Sequence, residues 1–177
     1  SKSYPFAKAD YVAKADYVYA VLSAERVTRL PLGLSWRLRG TYQIADGNLL
    51  PSEQIGLGGA YTVRGYEERS ASGSEGFLVS NELRFPAFSV ARFLHKGAKD
   101  ELQFLGFFDY GQTSNQDLQP SEDPHELLSS VGIGLRYRIA RNLTAHADYG
   151  WQLNELRRGA ASNSDDSRGH VFVEFRY

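Results

Sequence analysis

The chain has 177 residues, enough for one domain, and its 20 basic and 21 acidic residues nearly cancel to a net charge of −1. This balance excludes a nucleic-acid binder that relies on bulk attraction to phosphate, and 42% hydrophobic residues exclude wholesale disorder. No uncharged run approaches the roughly 18 residues that a membrane-spanning helix requires, whereas the half-apolar strands of a membrane β-barrel are compatible with this sequence. The sequence lacks Cys and offers no disulfide, thiol nucleophile or Cys-based metal site.

The N-terminal region has two unusual features. It shows neither a starting Met nor a signal peptide, so we expect a mature or excised segment of a longer product. In addition, the six residues 7–12 recur as residues 13–18. A local duplication and a slipped or extended first strand both account for this repeat, because an even period keeps each side chain on its face.

Apolar and polar residues alternate along most of the chain, which predicts β-strands. In the C-terminal stretch, Val173 and Phe175 fall on one face, whereas Glu174 and Arg176 fall on the other. About eight strands are expected, at 14–29, 34–46, 50–58, 77–86, 101–111, 128–139, 143–154 and 170–177. The predicted fold class is therefore all-β and antiparallel.

The two faces of these strands differ in chemistry. The polar rows combine large charged residues with Gly, and the apolar rows place Tyr and Trp near strand ends, as the interfacial girdles of membrane barrels do. We therefore predict a transmembrane β-barrel whose apolar rows face lipid and whose charged rows face a wet lumen, with residues 1–177 forming one outer-membrane barrel domain. The alternative is a soluble β-sandwich, which would turn the apolar rows inward.

The lengths of the connections also favour a membrane barrel, because outer-membrane barrels have long external loops and short periplasmic turns. Long polar connections are expected at 59–76, 112–127 and 155–169, and tight turns at 46–48 and 140–142. Two connections depart from the alternation. The connection 31–33 is short where an external loop is expected, and 87–100 is long where a periplasmic turn is expected.

A search for catalytic chemistry finds no site. The four His residues lack metal-ligand spacing, and neither a nucleophile elbow nor a phosphate-binding loop occurs. The sequence therefore predicts no enzymatic activity, no catalytic residue, no cofactor and no metal site. One segment is distinctive, because Gly65 directly follows Arg64 and would permit a tight turn that presents the guanidinium on a rigid tip. An ordinary exposed loop with one Arg is the alternative.

Six motifs follow one another along the chain: Leu49–Gly59, Val63–Glu67, Ser80–Pro86, Phe107–Gly111, Gly132–Arg136 and Val173–Tyr177. In this order they resemble the two-partner secretion transporters, the haemolysin secretion/activation barrels of the bacterial surface antigen superfamily. The resemblance implies an outer-membrane barrel of about 16 strands that carries a large partner polypeptide to the surface of a Gram-negative cell without nucleotide. This chain is similar to the C-terminal half of such a barrel.

The resemblance also implies a set of site residues. The loop motif consists of Val63, Arg64, Gly65 and Tyr66, and the strand motif consists of Phe107, Asp109 and Gly111. The loop 59–76 is expected to fold into the lumen, where Arg64 would meet Asp109. Glu82 lies on the polar row of its own strand and is a second candidate acceptor for Arg64.

The C-terminus forms an alternating apolar stretch that ends in an aromatic residue. Val173, Phe175 and Tyr177 are similar to the signal through which outer-membrane barrels meet the barrel-assembly machinery. An ordinary last strand would carry the same residues.

The main functional hypothesis is an outer-membrane barrel that translocates, or helps to insert, a partner polypeptide. The alternatives are an eight-stranded structural or adhesive barrel without a conduit, and a membrane anchor for an enzyme. The interior of an eight-stranded barrel is just filled by side chains and could not also hold the loop 59–76. We therefore expect half of a wider barrel, completed by missing N-terminal strands or by a second copy of the chain. The expected partners are membrane lipid, a secreted polypeptide and the barrel-assembly machinery, with no nucleic acid.

Overall fold

The structure is a computed structural model that describes residues 17–90, 100–115, 125–140, 142–154 and 166–176. Within these ranges, none of the helical turns has the length and apolar character required to cross a membrane. A short 3-10 turn at Pro31–Gly33 joins the first two strands. The described residues otherwise form strands and their connections, as the alternation of the sequence predicts.

Nine strands are present among the described residues. They are β1 (Tyr19–Arg29), β2 (Ser35–Ala45), β3 (Ile55–Leu57), β4 (Ala71–Gly73), β5 (Glu75–Arg84), β6 (Asp100–Ser114), β7 (His125–Ile139), β8 (Leu143–Gln152) and β9 (Ser167–Phe175). Seven of them form one sheet in the order β1-β2-β5-β6-β7-β8-β9, in which every neighbouring pair is antiparallel. The predicted all-β, antiparallel fold class is confirmed. The sheet is open, with β1 and β9 at its edges.

The predicted strand at 50–58 is not part of this sheet. Only Ile55–Leu57 is extended and paired there, and its partner is Ala71–Gly73 rather than a strand of the large sheet. β2 pairs directly with β5 instead. Residues 46–74 consequently form one long connection, which we call the folded-back segment. The predicted loop 59–76 corresponds to its C-terminal half together with the first two residues of β5.

This correction also changes how the connections alternate. In this antiparallel order the chain leaves β1, β5 and β7 at one end of the sheet, and it leaves β2, β6 and β8 at the other end. The short turn at Pro31–Gly33 thus shares an end with the tight turn 140–142, so it no longer departs from the alternation. The connection between β5 and β6 is the remaining long one at the end with short turns.

The sheet is inverted relative to that of a soluble protein. Its apolar face is exposed, with Ile133 60% and Val171 78% accessible, whereas its polar face is buried, with Glu82 4% and Asp109 0% accessible. Water would penalise such an arrangement by roughly 25 cal/mol for each Å² of exposed apolar surface. Lipid removes this penalty, which is why membrane barrels place apolar residues outside. The soluble sandwich therefore fails as an explanation of this sheet.

The buried apolar core lies between the folded-back segment and the polar face of the sheet. Its members are Leu57, Val63, Tyr66, Ala71, Leu78 and Leu128. The first four belong to the folded-back segment and to β3 and β4 within it, and the other two belong to β5 and β7. The burial of these side chains fixes the segment on the sheet and places its tip, residues 61–67, over the charged row.

Candidate functional site

The side chain of Arg64, at the tip of the folded-back segment, is bound by two carboxylates of the sheet. Its Nε and Nη2 donate to the two carboxylate oxygens of Asp109 on β6, at 2.7 and 2.9 Å, and its Nη1 donates to Glu82 Oε1 on β5 at 2.9 Å. The backbone N–H of Arg64 donates to Asp109 Oδ2 at 3.2 Å. Asp109 therefore binds the planar guanidinium bidentately, and Glu82 accepts from its remaining nitrogen.

Burial and an aromatic ring complete this arrangement. Arg64 is 3% exposed, and its guanidinium carbon lies 3.6 Å from the centre of the Phe107 ring, a cation–π contact. The Ser80 hydroxyl donates to Asp109 Oδ1 at 2.6 Å. Burial acts to lower the pKa of Arg64, but the hydrogen bonds and charges of Asp109 and Glu82 outweigh it and raise that pKa, so the guanidinium stays charged.

Glu82 lies at the centre of a wider charge network on the polar face. Arg84 donates to its Oε2 at 2.6 Å, and nitrogens of Arg37 and Arg136 lie 3.7 and 3.8 Å from its carboxylate oxygens. Arg136 also pairs with Asp148 on β8 at 2.7 Å. The network thus ties β2, β5, β7 and β8 together beneath the tip of the folded-back segment.

Tyr66 anchors the other side of the tip through neutral groups. Its hydroxyl lies 2.7 Å from the Asn154 carbonyl oxygen and 2.9 Å from the Ser129 carbonyl oxygen, so its proton is shared between two backbone acceptors. The side-chain amide of Gln152 donates to the Gly65 carbonyl oxygen at 2.7 Å. The Tyr66 ring itself is 1% exposed. The tip is therefore held at β7 and β8 as well as at β5 and β6.

Replacing Tyr66 with Phe tests the neutral anchor. The Tyr66→Phe variant keeps the buried ring but removes the hydroxyl, and we expect a loss of about 1–3 kcal/mol in unfolding free energy because the Ser129 and Asn154 carbonyl groups lose a donor. Urea unfolding of the refolded protein, followed by near-ultraviolet circular dichroism, measures the change. Tyr61→Phe is the control, since Tyr61 is 62% exposed and should be close to neutral. An equal effect in both variants would contradict the anchor.

The remaining residues of the predicted motifs are placed as follows. Val63 is fully buried in the core, and Gly111 on β6 lies beneath Leu57 of the folded-back segment. Val173 and Phe175 lie on β9 with 60% and 67% of their surfaces exposed, on the apolar side of the sheet. Tyr177 lies outside the described residues, and the assembly signal stays a prediction.

Several residues of the site were not among the predicted ones. Asp148, Ser80 and Gln152 contact Arg64 or its neighbour Gly65. Each lies on the polar row of its strand, so alternation places it on the correct face, but nothing in the sequence selects it from the other members of that row. No group of His, Asp and Glu able to hold a metal ion occurs in the described ranges.

Comparison with known proteins identifies the family. A family model described as haemolysin secretion/activation protein ShlB/FhaC/HecB matches residues 7–137. The chain is also 29% identical, over 157 residues, to the heme/hemopexin transporter protein HuxB of Haemophilus influenzae (strain 86-028NP), a match that covers 85% of this chain and 25% of that protein. The chain thus spans about a quarter of the length of this curated relative. The predicted resemblance and outer-membrane location are confirmed, and the chain belongs to the haemolysin secretion/activation (ShlB/FhaC/HecB) family.

Proposed function

We propose that this chain forms part of the wall of an outer-membrane barrel that moves a partner polypeptide across the outer membrane of a Gram-negative cell. The observation that carries this function is the folded-back segment on the polar face, held by Arg64 between Asp109 and Glu82, in a chain of the secretion/activation family. The polar face lines the lumen, and the apolar face contacts lipid. The chain acts as a conduit and not as an enzyme.

The charge pattern supports a water-filled lumen. A cavity of about 250 Å³ lies beside the tip, and arginines of β2, β5 and β7 line it together with Tyr61. Arg39 donates to the Tyr61 carbonyl oxygen. Charged groups in this number are tolerated at membrane depth only where they face one another or water.

The open sheet supports a barrel wider than these seven strands. An eight-stranded barrel is filled by its own side chains, whereas here the polar face carries a segment of 29 residues, 46–74, with its own two-stranded sheet. Further strands, from the rest of the protein or from a second copy of the chain, pair with the edges β1 and β9. The lumen of the completed barrel then has room for both the segment and a passing polypeptide.

No nucleotide is needed in this proposal. The outer membrane faces compartments without ATP, and folding of the partner outside the cell supplies the direction of transport. Membrane lipid, the partner polypeptide and the barrel-assembly machinery are the interacting components. The assembly machinery would meet the β9 edge, where Val173 and Phe175 lie exposed.

A comparison of secreted proteins tests the proposal. Strains with and without the gene for the full protein are grown in parallel, and the polypeptides of the medium and the periplasm are quantified by mass spectrometry. We expect one large polypeptide to disappear from the medium of the deletion strain and to accumulate in its periplasm. The purified protein, reconstituted in planar bilayers without nucleotide, should also conduct ions.

The rival function is a structural or adhesive barrel, or a membrane anchor, without a conduit. Its lumen would be closed, so it predicts an unchanged set of secreted proteins and no conductance. An unchanged set of secreted proteins, or a lack of conductance, would overturn the transport proposal. Neither result would contradict the membrane fold.

A further inference from the structure

The tip of the folded-back segment touches β8 backbone to backbone. A Cβ atom added to Gly150 would lie 2.8 Å from the Gly65 nitrogen and 2.9 Å from the Arg64 carbonyl carbon. A Cβ added to Gly65 would in turn lie 2.9 Å from the carbonyl carbon and oxygen of Gly150. Gly65 also has a φ of +94°, a conformation that side chains disfavour. The contact therefore requires glycine on both partners.

We infer that Gly150 is the positioning residue that sets where the tip lies in the lumen. The effect of this position on transport rests on the proposed function. The position itself does not, since it can be measured without transport. Gly150 and the tip are 83 residues or more apart in the chain, so local turn preferences cannot create the contact. The sheet thus offers a position without a side chain where the backbone of the tip rests on β8.

Hydrogen bonds on both sides of the contact keep the tip on this site. Gln152 Nε2 donates to the Gly65 carbonyl oxygen at 2.7 Å, and the Gly65 N–H donates to His170 Nε2 on β9 at 3.4 Å. Tyr66 adds its contacts to the Ser129 and Asn154 carbonyl groups. These bonds satisfy both backbone groups of Gly65, which would otherwise be buried without partners.

None of these contacts uses the Arg64 guanidinium. The tip thus has two separable attachments, a charged one through Arg64 and a neutral one through Gly150. A variant that removes the guanidinium leaves the neutral attachment in place. A variant that adds a side chain at Gly150 pushes the backbone of the tip away and moves Arg64 from its carboxylates with it.

Distances between two spin labels measure the position of the tip. The chain has no Cys, so labels can be attached to cysteines introduced at Tyr61, in the tip, and at Val171, on the lipid face of β9. Both positions are well exposed, at 62% and 78%. Pulsed electron paramagnetic resonance measures the distance between the two labels on the full protein in detergent micelles. A shift of its electrophoretic band on heating shows that each variant is folded.

For Gly150→Ala we expect the narrow distance distribution of the parent to be replaced by a longer and broader one. Gly169→Ala is the matched control, since a Cβ there meets its nearest neighbour, Tyr149 Cδ2, at an ordinary 3.6 Å, and its distribution should stay unchanged. Gly150→Val should enlarge the shift. A folded Gly150→Ala variant with the distribution of the parent would overturn the inference.

The Arg64→Ala variant provides a second test, which does not depend on whether the Gly150 variants fold. We expect it to keep the parent distance, because the Gly65 and Tyr66 contacts remain. A tip displaced in Arg64→Ala, with Gly150 unchanged, would show that the neutral attachment does not suffice to position it, and would overturn the inference. Displacement in Gly150→Ala together with undisturbed secretion would support the positioning role and show that transport does not require the tip at this position. Failure of the proposed function is recognised separately, by an unchanged set of secreted proteins in the deletion strain.

Discussion

Replacing Arg64 with Ala is expected to lower the unfolding free energy by about 3–5 kcal/mol, because Asp109 then remains as a buried carboxylate without its cation. Glu82 also loses one cation but keeps Arg84, which donates to it at 2.6 Å. Asp109 is fully buried, so water cannot screen its unpaired charge. Denaturant unfolding of the refolded protein measures the change. Asp109→Ala should cost a similar amount, since it leaves the buried guanidinium with only one close carboxylate.

Two control variants and one double variant show which interaction causes this loss of stability. Arg64→Lys keeps the charge but not the planar fork, so it should recover little of the lost stability. Arg138→Ala removes an arginine whose pair with Glu101 is more than half exposed, and the change should stay below about 1 kcal/mol. A double variant that lacks both Arg64 and Asp109 should be little worse than either single one. Additive losses would contradict a direct pair between them.

How far the sequence predicts this structure differs from feature to feature. The alternation of apolar and polar residues correctly places Asp109 and Glu82 on the row opposite the exposed aromatic residues, because side chains of a strand alternate with period two. The approach of Arg64 to this row follows from the resemblance to a family. Composition alone leaves an exposed loop as an alternative.

The strand predicted at 50–58 shows where such reasoning fails. Ile55 and Leu57 do alternate with glycines there, but alternation says nothing about which strand a segment pairs with. Ile55–Leu57 pairs with Ala71–Gly73, which closes the folded-back segment on itself and leaves β2 free to pair with β5. The preference for this pairing arises from burial of Leu57 and Ala71 in the core beneath the segment.

The neutral anchor of the tip could not be predicted from the sequence. Gly150 has no side chain to mark a role, and the partners of Tyr66 are backbone carbonyl groups, which every residue possesses. Only the distance between two remote parts of the chain shows that these residues meet. Charged pairs, in contrast, carry a chemical signal in the residue types themselves.

The exposed apolar face leads to the second large effect. Replacing Ile133, near the middle of β7, with Arg should lower the unfolding free energy in lipid bilayers or micelles by about 2–4 kcal/mol, because the charge enters the hydrocarbon layer. Ile133 is 60% exposed on the apolar face, where the proposed barrel would contact lipid. On a soluble sheet, the same change at so exposed a position would stay within about 0.5 kcal/mol.

The matched control is Ile139→Arg, the same substitution on the same strand and the same face. Ile139 is the last residue of β7, beside the tight turn to β8, and is 40% exposed. At this end the arginine reaches the interface, so the cost should fall to about 0–1 kcal/mol. Paired unfolding measurements in the same lipid would reveal the difference. Equal costs at the two positions would mean that the apolar face does not cross a hydrocarbon layer, whereas a graded cost locates the membrane along β7 and, through the antiparallel register, along every other strand of the sheet.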